Sequence, residues 1–199
     1  MKRLVVATKN PGKLREVAQI LADLPYEIVS LSEYPDAPDV EETGSTFLEN
    51  AVLKAIKYAR FTGEITLADD SGLEIDALNG APGVRSSRFA PTDPERIAKV
   101  LELMRDIPDD KRTARFRCAI AVAWPDKRIE TCEAKVEGVI AREPKGSYGF
   151  GYDPIFYIPE LGKHMAELEP EEKNAVSHRG RALRIMKKML LEELAEGRV

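Results

Sequence analysis

Apolar residues in this chain recur with two spacings, and the switches between them mark the elements. Leu4 to Ala7 is a short apolar run. Asn10-Pro11-Gly12 follows as a turn, with Asn10 in position to cap a helix and Pro11 at its first residue. Leu14, Val17, Ala18 and Leu21 then recur at helical spacing. Tyr26 to Leu31 reads as the next strand, so the chain opens strand–helix–strand. A proline- and acid-rich loop, Ser32 to Gly44, precedes a second helix that Ser45 can cap. Its apolar stripe is Phe47, Leu48, Ala51, Val52, Ala55, Ile56 and Ala59, and Thr62-Gly63 ends it.

Ile65 to Ala68 is a buried-type strand, and Asp69-Asp70-Ser71-Gly72 sits at its end, where a turn is one reading. Leu73, Ile75 and Ala77 alternate with Glu74 and Asp76, which predicts a further strand. Thr92 or Asp93 starts a helix carrying Ile97, Val100, Leu101 and Met104. Thr113 to Trp124 and Arg128 to Arg142 flank Pro125-Asp126-Lys127 and predict a long β-hairpin. A last helix runs from about Ala175 or Ser177 to Glu196. Helices that alternate with strands, followed by a long hairpin, predict an α/β fold with a mixed β-sheet, flanking helices and two lobes. A central cleft between lobes is a usual place for a ligand.

Composition narrows the partners. With 199 residues the chain is expected to be one domain, 1–199. It carries 30 basic and 34 acidic residues, a net charge of −4. A mildly acidic chain lacks the broad positive field that nucleic acid or an anionic membrane attracts, but a focused basic patch can still hold a small anion. Two cysteines, Cys118 and Cys132, make no disulfide framework, and with two histidines they are too few for most structural zinc sites. No apolar run approaches the roughly 18 residues of a membrane span, and Met1 to Leu14 does not read as a signal peptide. The expected location is cytoplasmic.

Four constellations can carry chemistry. Thr8-Lys9-Asn10-Pro11-Gly12-Lys13 sits at a strand-to-helix junction, where backbone N–H groups and the helix dipole favour an anion. The same residues also make an ordinary capped turn. Glu41-Glu42 lies in the acidic loop, and Asp69-Asp70 lies at a strand end, where α/β folds gather ligands. Adjacent aspartates there repel unless a cation compensates, which suits a hard ion such as Mg²⁺ as well as a simple turn. Phe150-Gly151-Tyr152-Asp153-Pro154 offers a ring to stack on a base and a carboxylate to read it, or a packed aromatic turn. Lys173 to Arg181, with Ser177-His178-Arg179 at a helix start, is a local positive patch in an acidic protein. Asn50 and Lys54, four apart, share one helix face, and both a supporting role and a solvated face are open.

Taken in order, these motifs resemble the non-standard purine nucleoside triphosphate pyrophosphatases, the inosine triphosphate or XTP/dITP diphosphatase family. The likeness runs from Leu4 to about Met189 and includes Thr8-x-Asn10-x-x-Lys13, Glu42-Thr43-Gly44, Phe47-x-Glu49-Asn50-Ala51 and Ala68 to Leu73. Gly80-Ala81-Pro82-Gly83, Phe150 to Pro154 and Glu172 to Arg179 complete it. The resemblance implies an elongated two-lobed α/β homodimer that hydrolyses ITP, dITP and XTP to the monophosphate and pyrophosphate with Mg²⁺. By position, Thr8, Asn10 and Lys13, with Lys9, Pro11 and Gly12 in the same loop, hold the triphosphate. Asp70 resembles the catalytic carboxylate, and Glu42 and Asp69 its metal-binding partners. Ser71 lies beside the substrate. Phe150, Gly151, Tyr152 and Asp153, with Lys173, His178 and Arg179, hold or read the base. Three other readings are a pyrophosphatase of the related septum-inhibitor type, a nucleotide-binding module without turnover and an RNA-binding protein. Ser177-His178-Arg179, the intact carboxylates and the net charge, respectively, argue against them.

Overall fold

The computed structural model describes residues 1–197 of the chain. Its strands are β1 (Lys2–Val6), β2 (Tyr26–Ser30), β3 (Ile65–Ile75), β4 (Thr113–Ala123), β5 (Ile129–Ile140), β6 (Phe156–Ile158) and β7 (Lys163–His164). They form one seven-stranded sheet in the order β2-β1-β3-β4-β5-β6-β7. β1 runs parallel to both neighbours, with Leu4 opposite Ile28 of β2 and Ile65 of β3. β6 runs antiparallel to β5 and to β7. The sheet is therefore mixed, as the alternation of helices with strands and the long hairpin predict. Its α-helices are α1 (Pro11–Ile20), α2 (Phe47–Thr62), α3 (Asp93–Leu103), α4 (Pro170–Val176) and α5 (His178–Ala195).

The chain divides into two compact units. The first comprises Met1–Asp70, Cys118–Ala134 and the chain from Arg179 onward. Its core gathers Leu4 and Val6 of β1, Val17 and Leu21 of the α1 segment, Ile120 and Val122 of β4, and Leu183 and Met186 of α5. Each such side chain contributes about 1.5–3 kcal/mol on burial. Cys118 and Cys132 also belong to this unit and are free thiols. Burial pushes both up, Cys132 to about 11, so neither forms a thiolate near neutral pH.

The second unit comprises Ser71–Arg117 and Lys135–His178. Leu73, Ile75, Val100, Met104, Phe116, Ile140, Phe156 and Met165 form its core. Arg112 is 2% exposed and donates to the carbonyls of Met104, Ile107, Ile140 and Ala141. One guanidinium thereby satisfies several chain ends at once.

Several boundaries differ from those the pattern predicts. Asp69 to Gly72 is not a turn: β3 runs unbroken through it to Ile75. Both aspartates meet cationic side chains there, so the strand can carry them inside. Thr46, not Ser45, caps α2, because its side chain accepts from the Glu49 N–H, while Ser45 donates to the Glu49 carboxylate. The start of α3 agrees with the pattern: Thr92 caps it in a reciprocal box with Glu95. The last helix, α5, starts directly after Ser177, one of the two expected starts, and Ser177 is extended at φ −68° and ψ 159°; the short α4 before it is not among the expected elements. β6 and β7 are too short for a periodicity to reveal. Among the described residues no helix is long and apolar enough to cross a membrane.

Candidate active site

The first unit presents its chemistry where β1 passes into α1. Asn10 is the N-cap: its side-chain oxygen accepts from the N–H groups of Gly12 at 2.8 Å and Lys13 at 3.1 Å. The Asn10 N–H in turn donates to the Thr8 hydroxyl at 3.1 Å. Two helix N-terminal donors are thus committed to the cap, and an anion here would meet side chains before backbone. With its oxygen fixed, the Asn10 amide keeps its NH₂ as a donor. Lys9 is exposed and pairs with Asp39 at 2.6 Å. Pro11 is exposed at the helix start, and Gly12 is buried. The Lys13 ammonium lies 3.1 Å from Asp69 Oδ2.

Asp69 and Asp70 are successive residues of β3, so their side chains leave opposite faces of the strand. They are 4% and 6% exposed and behave in opposite ways. Burial opposes ionisation of Asp69, but the charges of Lys13, Arg179 and Lys54 outweigh it and hold the carboxyl well below the usual range. Burial pushes Asp70 up to about 6; Lys54 opposes that and the charge of Glu42 adds to it.

Two residues of α2, left open by their spacing alone, organise Asp70. Asn50 is 0% exposed. Its Nδ2 donates to Asp70 Oδ2 at 3.1 Å and its Oδ1 accepts from the Gly44 N–H at 2.7 Å. A Cβ on residue 44 would come within 2.6 Å of that oxygen, so only glycine admits the contact. Lys54 Nζ lies 2.8 Å from Glu42 Oε1 and 3.9 Å from Asp70 Oδ1, and donates to the Asp69 carbonyl at 2.6 Å. Burial favours loss of its proton, yet Asp69, Asp70 and Glu42 together raise its pKa, so it stays an ammonium. Their i, i+4 spacing puts both on one helix face, and Asn50 also stands in the motif Phe47-x-Glu49-Asn50-Ala51 of the resemblance; Lys54 has no other sequence signal.

The expected trio of metal ligands is not gathered. Glu42 and Asp70 converge on Lys54, whereas Asp69 turns to Lys13 and to Arg179, whose Nε donates to it at 3.2 Å. Among the described residues no group of three His, Cys, Asp or Glu side chains is set to hold an ion. Arg179, grouped by sequence with the base-reading donors, is 2% exposed and also donates to Glu16 at 2.6 Å. Glu16 had no sequence signal beyond its place three residues after Lys13 on α1.

The second unit holds the aromatic cluster. Asp153, 3% exposed, accepts from the Phe150 N–H at 3.1 Å and from Lys173 Nζ at 2.8 Å. The Lys173 ammonium also stands 4.4 Å from the Phe150 ring centroid, within cation–π range. Gly149 has φ +73°, and a Cβ there would fall 2.1 Å from Asp153 Oδ2. Gly151 donates its N–H to Asp93 at 2.9 Å. Tyr152 does not stand beside Phe150 as an open ring: it is 5% exposed and donates to the Ser86 carbonyl at 2.7 Å. Burial pushes its phenol up to about 12. His178 is 5% exposed and stacks on Phe116 at 4.7 Å. Ser71, half-buried, follows the aspartate pair along β3.

A capped lysine turn and a buried aspartate near neutrality suit phosphate chemistry, and a lysine-covered aromatic ring suits a planar base. The chain belongs to the Ham1 family, whose family model matches residues 4–189. It is 55% identical over 185 residues to a protein of Desulforamulus reducens named dITP/XTP pyrophosphatase, covering 92% of each chain. A dITP/XTP pyrophosphatase of Geobacter sulfurreducens is 52% identical over 190 residues, covering 94% of this chain and 96% of its own. Among solved structures, a HAM1 protein from Coxiella burnetii superposes with a TM-score of 0.88 at 50% identity, over 96% of this chain and all of the other. The Staphylococcus aureus Ham1 protein gives a TM-score of 0.86 at 42% identity, with the same coverage.

Proposed function

We propose that this chain hydrolyses dITP, ITP and XTP to the nucleoside monophosphate and pyrophosphate, removing deaminated purines from the nucleotide pool. The identity of about half with named dITP/XTP pyrophosphatases over nearly the whole chain supports the substrate class. The observation that carries the chemistry is geometric: Asp70 is buried, accepts from Asn50 Nδ2 at 3.1 Å and shares the Lys54 ammonium with Glu42. A carboxylate fixed in this way is an acceptor in place for the proton of an attacking water.

In this reading Thr8, Asn10 and Lys13 grip the outer phosphates, with Lys9, Pro11 and Gly12 shaping the loop. Asp70 accepts a proton from a water, whose oxygen bonds to the α-phosphorus. The bond from that phosphorus to the bridging oxygen breaks, and pyrophosphate leaves with the electron pair. Phosphoryl chemistry of this kind depends on position and positive charge more than on covalent help. Lys54 keeps Glu42 and Asp70 together and stays charged beside them. Phe150 stacks on the base, Lys173 and His178 donate to its oxo groups, Gly151 and Asp153 shape that loop, and Ser71 lies beside the substrate. The buried ring of Tyr152 supports the loop.

We assign the metal to Mg²⁺. Two carboxylates that already share one cation are a fitting donor set, since Mg²⁺ takes one or two carboxylates and completes its shell with phosphate oxygens and water. Glu42 and Asp70 would hold it. Bound there, it neutralises charge on the phosphate oxygens. The same reading makes the protein a homodimer working in the cytoplasm, where the nucleotide pool lies, with no stable nucleic-acid or membrane partner. Sedimentation and cell fractionation test those points. The test of the activity is product analysis with ITP, XTP and Mg²⁺. IMP and XMP should appear with equimolar pyrophosphate and no diphosphate; orthophosphate with IDP or XDP would refute it.

A further inference from the structure

Lys13, Asp69, Arg179 and Glu16 form a row of alternating charge inside the first unit. Lys13 Nζ lies 3.1 Å from Asp69 Oδ2, and Arg179 Nε lies 3.2 Å from the same oxygen. Arg179 Nη1 then reaches Glu16 Oε2 at 2.6 Å. The side chains of Asp69 and Arg179 are 5% and 2% exposed, that of Glu16 11% and that of Lys13 18%. The row joins α1, β3 and α5, and its partners are as much as 163 residues apart. Burying charges in this way is a poor source of net stability, because apolar groups of the same volume often do as well. What the row does supply is position. Lysine has several rotamers, and an ammonium held from behind has already lost the freedom that a phosphate would otherwise have to remove.

We infer that Asp69 is a positioning residue, which holds the Lys13 ammonium for the triphosphate and takes no part in holding the metal ion. Its carboxylate leaves β3 on the face opposite Asp70, so the strand separates the two tasks. Arg179 steadies Asp69, and Glu16 steadies Arg179. Without Glu16 the guanidinium is drawn fully onto Asp69 and weakens its hold on Lys13. The inference rests on the reading of Lys13 as a phosphate grip.

The test compares Asp69→Asn and Glu16→Gln, each alone and with Lys13→Ala, on XTP and dITP across a Mg²⁺ series. Asp69→Asn replaces a charge-assisted hydrogen bond by a neutral one, so it should raise KM about tenfold or more and leave kcat within about threefold. The Mg²⁺ concentration for half-maximal rate should not move. Calorimetry with inorganic triphosphate, which needs no turnover, should show weaker binding by a similar factor. In the Lys13→Ala background neither variant should cost anything further, since residues acting through one partner are not additive. If Asp69→Asn does not fold, the Glu16→Gln pair decides alone. A shifted Mg²⁺ requirement, or equal losses with and without Lys13, would overturn the inference while the activity stands. Wild-type protein that releases no pyrophosphate would instead overturn the activity.

Discussion

Asn50 donates to Asp70 across 3.1 Å, and the same carboxamide accepts the Gly44 N–H at 2.7 Å. One buried amide therefore sets the orientation of the proposed base and ties it to the loop that carries Glu42. Asn50→Ala should lower kcat on XTP roughly 10- to 100-fold, the scale of a lost hydrogen bond to a charged group. It should also lower the melting temperature, because the Gly44 N–H loses its partner. Steady-state kinetics with a thermal scan checks both. An unchanged kcat would remove Asn50 from the catalytic arrangement.

Asp69 and Asp70 should affect stability with opposite dependence on pH. The folded value of Asp70, about 6, lies above the ordinary carboxylate value of 3.8. The folded state therefore holds that proton more tightly, and its contribution is full below about pH 3.8 and lost as pH rises through 6. Asp69 is depressed, so its contribution is present above about pH 3.8 and lost as pH falls further. In metal-free protein, Asp70→Asn should raise the melting temperature at pH 8 and not at pH 4. Asp69→Asn should lower it at pH 8, with a smaller loss at low pH. Melting curves in chelator across that range provide the measurement, and the same sign for both variants at pH 8 would contradict the assignment.

Lys173 is both a proposed donor to the base and the partner of a buried carboxylate. Lys173→Met removes the ammonium that stands 2.8 Å from the Asp153 carboxylate in a site with 4% exposure, which should cost about 3–5 kcal/mol of stability. Denaturant unfolding measures that loss. On activity, Lys173→Ala should lose more on XTP and ITP than on GTP, shrinking the selectivity ratio. Phe150→Ala should weaken all three by a similar factor, since stacking contributes about 1–3 kcal/mol per base without choosing among them. Even losses in both variants would mean that Lys173 holds the substrate without reading it.

Gly149→Ala tests the turn that presents Phe150. The residue has φ +73°, and its new methyl would fall 2.1 Å from the Asp153 carboxylate. Strain and displacement of that carboxylate should together cost more than about 1 kcal/mol. The expected result is a lower melting temperature with a raised KM for every purine triphosphate. A neutral substitution would show that the turn tolerates a side chain and that Asp153 is free to move.

Local pattern was enough for the elements that build the scaffold. Apolar periodicity located the opening β1–α1–β2, helices α2 and α3 and the long β4–β5 hairpin, because each writes its buried face into spacings of two or of three to four residues. Asn10 was legible as a cap for the same reason: its bonds reach only two and three residues ahead. Asp69-Asp70-Ser71-Gly72 was not legible as strand, since local propensity favours a turn and only distant cations make it a buried strand. Lys13 and Arg179 meet Asp69 from elements far away in the chain, Arg179 at a separation of 110 residues. Sequence spacing could group Glu42, Asp69 and Asp70 by chemical type, but strand alternation and tertiary packing decided which cation each one meets. Lys54 and Arg179 acquired their partners in the same way, because a charge takes its role from whatever the fold brings within about 4 Å of it.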